Sequence, residues 1–161
     1  MIDVLIRKAR PEDLIHVVGI NRNALPENYS PEFFSSLLEE HGEYFLVAER
    51  EGHLIGYVMC RIETGFSFSP SLQSPLHPRG HIVSLAVDSV HRRKGIGEAL
   101  MLATLAEMRK HGLKESYLEV RVDNTAAIAA YEKLGYKKSK KIDLYYADGT
   151  SAYVMTIDLQ S

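Results

Sequence analysis

The chain has 161 residues, a formal charge of −2, 45 % hydrophobic and 25 % charged residues, and one cysteine. That length supports one domain with its own core, 1–161, and is short for two. The near-balanced charge excludes a general attraction to nucleic acid or anionic lipid, and a lone cysteine excludes both a disulfide framework and a thiolate metal cluster.

Residues 3 to 7 read as a short strand. RPEDL follows, with Pro11 at an early helical position and Glu12 and Asp13 at the helix's positive end, so a first helix is expected to about Asn23. After LPENY a second helix restarts near Pro31 and ends at Gly42, its apolar stripe made of Phe33, Phe34, Leu37 and Leu38. YFLVAEREGHLIGYVMCRIE predicts two strands, Tyr44 to Glu49 and Leu54 to Glu63, joined by a tight turn at Glu51 and Gly52. Cys60 lies in that apolar run and is expected to be inert core. Residues 64 to 79 are rich in Ser and Pro and read as a loop, a candidate substrate lip on which Phe66 and Phe68 fold back.

Residues 81 to 87 are apolar and β-branched, as a buried strand should be. His91, Arg92, Arg93 and Lys94 then precede Gly95 and Gly97, and a helix runs from Ile96 to Lys110 until Gly112. Glycines that let backbone N–H groups turn toward one anion, a helix's positive end and local basic charge together form a phosphate-holding device suited to a pyrophosphate. The turn lacks the Lys-Ser/Thr of a Walker loop and the acidic ribose ligand expected roughly 20 residues on in a dinucleotide fold.

A strand follows at Ser116 to Val122, with Tyr117 and Glu119 alternating against Leu118 and Val120. Asn124 caps the helix TAAIAAYEKL, which stops at Gly135. Two closing strands, about Tyr136 to Lys141 and Ala152 to Leu159, flank a turn at Ala147 to Thr150 in which Asp148 and Gly149 read as turn formers only. The resulting order, β-α-α-β-β-β-α-β-α-β-β, predicts an α/β (α+β) domain with a mixed sheet and helices on both faces. No apolar run approaches the roughly 20 residues that span a bilayer, so a soluble, cytoplasmic chain without a membrane partner is expected.

These segments resemble the GNAT acetyltransferase family. Within it they are most similar to the N-terminal protein acetyltransferases of the archaeal and eukaryotic NatA catalytic-subunit type, with the bacterial ribosomal-protein alanine acetyltransferases as cousins. Arg92 to Gly97 match the family's Arg/Gln-x-x-Gly-x-Gly/Ala signature, and LEVRVDNTAAIAAYEKLGY matches an acidic strand followed by Arg-Val-x-x-Asn-x-x-Ala and a Tyr. LPENY, GHIVSLAV and YYADGTSAYVM resemble the amino-terminal branch, so the likeness covers essentially the whole chain.

The resemblance implies a mixed sheet splayed between its fourth and fifth strands, acetyl-CoA as cosubstrate and no metal. Leu85, Ala86 and Val87 would line the pantetheine arm, the backbone of Leu85 and Val87 pairing with it and a backbone N–H near Leu85 meeting the oxyanion. Arg92, Arg93, Lys94, Gly95, Ile96 and Gly97 would hold the pyrophosphate, and Asn124, Ala127 and Tyr131 would line the thiol end. Glu119 would handle the acceptor's proton, assisted by His81 as a neutral imidazole on the adjacent strand. Some eukaryotic members carry histidine at the Glu119 position, so the family uses no fixed base. Tyr131 lies seven residues beyond Asn124 on one helix face and would act as general acid or hydrogen-bond donor to sulfur.

Glu27 and Tyr29, with Tyr145 and Tyr146 at the other lip, resemble residues that hold the first peptide units of an acceptor. The implied reaction is direct transfer of acetyl to protein or peptide N-termini in a ternary complex. An α-amino group has a pKa of about 8, roughly two units below lysine, and needs only modest help at neutral pH. Transfer to lysine or small amines and a noncatalytic acyl-CoA-binding role are the alternatives. A ribosome-associated auxiliary subunit is a further partner for members of this type, without direct nucleic-acid contact.

Overall fold

The computed structural model describes residues 3–66 and 76–160. Within them the chain forms two compact units, one from residues up to 61 together with 82–107, the other from 62–81 together with 108 onward. The elements in chain order are β1 (Leu5–Lys8), a one-turn helix (Pro11–Asp13), α1 (Leu14–Ala24), α2 (Pro31–His41), β2 (Phe45–Arg50), β3 (His53–Phe66), β4 (Leu76–Val87), α3 (Ile96–Lys110), β5 (Glu115–Arg121), α4 (Thr125–Leu134), β6 (Lys137–Ile142) and β7 (Ala152–Asp158). Their ends sit close to the expected positions because the signals that set them are local. Ser30 accepts a hydrogen bond from the Phe33 N–H at the head of α2, Asn124 does the same for the Ala127 N–H at the head of α4, and Gly135 closes α4 with a φ of 110°.

The expected loop at 64–79 is shorter at both ends, since β3 continues to Phe66 and β4 begins at Leu76. Its middle, 67–75, with Phe68, lies outside the described residues. Serine and proline content suggested a loop, but exposed Leu76 and Pro78 alternate with buried His77 and Arg79. The proline lies near the start of the strand, before the described pairing of β4 with β5 begins at Gly80, where a missing N–H is tolerated.

In the first unit the strand order is β1-β2-β3-β4. β1 pairs antiparallel with β2 from Leu5↔Glu49 to Lys8↔Leu46, and β2 pairs antiparallel with β3. The turn between β2 and β3 places Glu51 and Gly52 at φ 51° and 79°, the left-handed geometry that matches the twist of a hairpin. Val17 of α1 and Phe34 and Leu37 of α2 pack against Phe45, Val47, Tyr57, Met59 and Ala86 of the strands, which fixes both helices on this sheet. Cys60 is fully buried, and burial pushes its thiol far above the ordinary range, so it is inert as expected.

In the second unit β4 pairs parallel with β5 at Gly80↔Ser116 and His81↔Tyr117. β5 pairs antiparallel with β7 from Glu115↔Asp158 to Arg121↔Ala152, and β7 in turn with β6. One parallel pair among antiparallel ones makes the sheet mixed. With seven strands and four α-helices among the described residues, this is the expected α/β class. None of the described helices is long and apolar enough to cross a membrane.

A polar clamp holds the start of the chain. The Arg7 guanidinium donates to both carboxylate oxygens of Asp13 at 2.8 and 3.0 Å and to Glu49 at 3.0 Å, and Asp13 also accepts the Arg10 N–H at 2.7 Å. Hydrogen bonds from Arg7 hold the Asp13 carboxyl below the usual carboxylate range against the opposing effect of burial. A carboxyl depressed in the fold stabilises it above the unfolded pKa of about 4 and loses that contribution as pH falls through the lower folded value. Asp13→Asn is expected to cost about 2 kcal/mol at pH 7. The difference from the parent chain should shrink as pH falls below about 4, as read by urea denaturation at stepped pH.

Candidate active site

The turn before α3 is built on backbone conformation. β4 ends at Val87, and the Asp88 N–H donates to the Ile55 carbonyl at 2.8 Å, anchoring the exit of the strand. Arg93 and Gly95 take φ of 63° and 80°, and alternating handedness of this kind turns neighbouring N–H groups toward one concavity. Gly97 has a different reason to be glycine. A Cβ there would meet only Val87 Cγ2, at an ordinary 3.8 Å, so neither conformation nor internal packing demands its absence. The open space leaves room for the close approach of a bound group. Together with the positive end of a 15-residue helix, this cradle suits a diphosphate.

Arg92 has a structural duty that its spacing did not reveal. Its Nε donates to the Val87 carbonyl at 3.1 Å and its guanidinium reaches the Ala24 carbonyl at 3.4 Å, which ties the turn to β4 and to the end of α1. Ile96 is buried and anchors the helix start, while Arg93 and Lys94 stay exposed. Along β4 in this unit, Ser84 and Ala86 are buried while Val83, Leu85 and Val87 are part-exposed on the alternate positions.

The second unit holds a dense polar cluster. The two ring nitrogens of His81 lie 2.7 Å from Glu63 Oε2 and 2.7 Å from Glu119 Oε1. The Tyr117 hydroxyl donates to Glu63 Oε1 at 2.6 Å, and its ring stacks on the His81 ring with centroids 4.3 Å apart and planes 6° from parallel. The Arg79 guanidinium lies over the same tyrosine ring at 4.6 Å and 4.0 Å from Glu63 Oε1. Burial first, then the Glu63 hydrogen bond, pushes the Tyr117 phenol well above its ordinary value, so it stays a donor.

Two hydrogen bonds on one imidazole require two protons. The ring supplies one, and the second makes either an imidazolium between two carboxylates or a neutral ring beside one carboxylic acid. His81 therefore sits beside Glu119 as expected, and faces Glu63 as well. Among the described residues no group of His, Cys, Asp and Glu has the arrangement of a metal site.

On α4, the Asn124 side chain is spent on the cap, 3.2 Å from the Ala127 N–H, so it shapes the helix start. Tyr131 is half-buried, packs edge-on against Tyr136 with centroids 6.0 Å apart, and has its phenol pushed up to about 12 by burial. Its hydroxyl makes no hydrogen bond among the described residues.

The LPENY segment is held from below by a buried network. Asn21, fully buried, donates to the Glu27 carbonyl at 3.2 Å and to the Tyr57 hydroxyl at 3.1 Å, and accepts the Tyr29 N–H at 3.4 Å. Tyr57 and Ser84 share a further hydrogen bond of 2.8 Å. Tyr29 itself reaches the Val83 carbonyl at 3.5 Å and stacks on Phe33.

Tyr145 and Tyr146 lie in the connection between β6 and β7, edge to face at 4.9 Å, with the Arg121 guanidinium 4.3 Å over the Tyr146 ring. Asp148 is more than a turn former. It pairs with Arg121 at 2.8 Å, and hydrogen bonds from Thr150 and then Arg121 hold its carboxyl down at about 2.

The structure therefore brings together His81 and Glu119, and it adds Glu63, Tyr117, Arg79 and Asn21, which the sequence reading missed. Alternation along each strand could have grouped Arg79 with His81 and Tyr117 with Glu119. Nothing local marks Glu63, because its role depends on the register of β3.

The pattern of the acetyltransferase (GNAT) family matches residues 14–136. An N-alpha-acetyltransferase from Sulfurisphaera tokodaii is 48 % identical, over 96 % of this chain and 92 % of its own length. Among solved structures, Ard1 from Thermoplasma volcanium is 30 % identical with a TM-score of 0.84, covering 98 % of this chain and 99 % of that one. Arabidopsis thaliana Naa50 in complex with the bisubstrate analogue CoA-Ac-MVNAL is 25 % identical with a TM-score of 0.81, covering 96 % and 98 %.

Replacing Asn21 by Ala would strand buried partners and cost about 1–3 kcal/mol. The amide of Tyr29 should then exchange with solvent faster while amides of β5 and β7 keep their protection, as read by residue-resolved hydrogen exchange. Unchanged exchange at Tyr29 would mean that the segment is held by its aromatic packing alone.

Proposed function

This chain belongs to the GNAT acetyltransferase family, and on that premise we propose that it transfers the acetyl group of acetyl-CoA to the α-amino group of protein N-termini. The observation that carries the reading is near-full-length likeness to the N-alpha-acetyltransferase of Sulfurisphaera tokodaii. Acetyl-CoA supplies an activated acetyl thioester, and the left-handed Arg93 and Gly95, the open Gly97 and the head of α3 support a place for its pyrophosphate. Leu85, Ala86 and Val87 would take the pantetheine arm, and Asn124, Ala127 and Tyr131 its thiol end.

In the reaction a bond forms between the acceptor nitrogen and the acetyl carbon, the carbon–sulfur bond breaks, the amine gives up a proton and the departing thiolate takes one from solvent water. Glu119 suits the first proton. Its Oε1 faces His81 and its Oε2 takes no hydrogen bond among the described residues, so one oxygen is fixed and the other is open to the amine or to an intervening water. His81 spreads the incoming charge over the Glu63 side of the cluster.

Tyr131 suits the sulfur. A phenol at about 12 stays protonated at neutral pH. A thiolate with a pKa of about 8.5 is too weak a base to take its proton outright. Tyr131 therefore acts as a hydrogen-bond donor that stabilises charge developing on sulfur. Glu27, Tyr29, Tyr145 and Tyr146 would hold the first residues of the acceptor.

An auxiliary subunit would find apolar contact along α1 and α2, where Leu14, Ile15, Val18 and Pro31 line a groove and Ile15 is 77 % exposed. A single domain and a cytoplasmic location complete the reading. The match of the family pattern across 14–136 supports the first, and a buried, unpaired cysteine accords with a reducing compartment.

The test offers acetyl-CoA and a library of peptides with free or blocked N-termini, each with an internal lysine, and locates the added acetyl by fragmentation mass spectrometry. Acetyl on free termini is the expected result, and acetyl confined to lysines would overturn it. In the same assay Tyr131→Phe should lower kcat about 10- to 100-fold while the Kd for acetyl-CoA moves less than about twofold. Unchanged turnover would remove Tyr131 from the chemistry.

A further inference from the structure

The His81–Glu119 pair has a second carboxylate behind it that no motif of the sequence marks. Glu63 receives the Tyr117 hydroxyl on Oε1 at 2.6 Å and faces His81 Nδ1 with Oε2 at 2.7 Å. Its side chain is 27 % exposed against 9 % for His81 and 17 % for Glu119. The charged and titratable groups facing the imidazole are Glu63 from β3, Glu119 and the stacked Tyr117 from β5, and Arg79 two residues away on β4.

A histidine with one free nitrogen can exchange its two neutral tautomers and turn about its side-chain bond. Holding Nδ1 on a carboxylate removes both freedoms. Tyr117 and Arg79 in turn hold the carboxylate: one donates to it, the other places positive charge 4.0 Å away.

We propose that Glu63 is the positioning residue of the proton-handling pair: its carboxylate takes the Nδ1–H of His81 and so presents Nε2 to Glu119. The inference rests on the reading that His81 and Glu119 manage the acceptor's proton, and it extends that reading to a carboxylate–imidazole–carboxylate line. When the amine gives up its proton to the open oxygen of Glu119, the bond at Nε2 can readjust without rotation of the ring, because Nδ1 is already anchored. Glu63 need not touch the acceptor or acetyl-CoA.

Glu63→Gln keeps the shape and removes the charge, and Tyr117→Phe keeps the stacked ring and removes the donor that fixes Glu63. Each full-length variant is assayed for kcat and for both KM values on a peptide with a free N-terminus, and the His81 ring is followed by long-range proton–nitrogen NMR, assigned by its absence in His81→Gln. The expected result for Glu63→Gln is kcat lower by about tenfold or more with both KM values within about twofold, and a His81 Nδ1 resonance displaced from its protonated position. Tyr117→Phe should move both readouts in the same direction by less.

An unchanged ring spectrum overturns the proposal even if kcat falls, since a merely structural loss would leave the ring's protonation untouched. Unchanged kcat overturns it as well. If the parent chain acetylates no N-terminus, the functional reading fails separately. The ring spectra of parent and Glu63→Gln then still decide whether Glu63 sets the His81 proton.

Discussion

One imidazole held at both nitrogens by carboxylates is the interaction that sets the geometry of the proposed proton-handling pair. Two 2.7 Å contacts on a side chain that is 9 % exposed leave His81 no rotational choice. They also require that β3, β4 and β5 each keep their register. Side chains alternate across a strand, so a slip of one residue in β5 would send both Tyr117 and Glu119 to the opposite face and put Leu118 and Val120 in their place. The parallel match at His81↔Tyr117 and the antiparallel ladder of β5 on β7, seven residue pairs long, hold that register.

The anion cradle follows another rule. Its ligands would be backbone N–H groups, so the side chains around it are free for other work. Arg92 holds the turn to Val87 and Ala24, and Ile96 plugs the helix start into the core. Exposed Arg93 and Lys94 contribute mainly through long-range charge that salt screens. The LPENY segment is likewise held through its backbone: Asn21, fully buried, spends its amide on the main chain at Glu27 and Tyr29.

Much of this was legible along the chain because the signals are local. Ser30, Asn124 and Gly135 set helix ends through contacts within a few residues, and Gly95 marked the left-handed turn that precedes α3. The segment at 64–79 misled for a local reason as well. Its Ser and Pro content is that of a loop, whereas β3 runs on to Phe66 and β4 begins at Leu76, the two being neighbours in the sheet. Asp148 misled likewise, since its partner Arg121 is 27 residues away.

The sequence by itself determined the element order, the helix caps, the glycine turn before α3 and the candidacy of Glu119, His81 and Tyr131, because each depends on residue type and short spacing. Only the tertiary structure decided that His81 has two carboxylate partners. Glu63, His81 and Glu119 are separated by 18 and 38 positions, and their meeting follows from strand register, which is summed over many weak contacts and is written in no single motif. The same holds for the stack of Tyr117 on His81 and for the Asn21 network under LPENY. A side chain's protonation and orientation are set by what faces it in space, and that is a property of the fold.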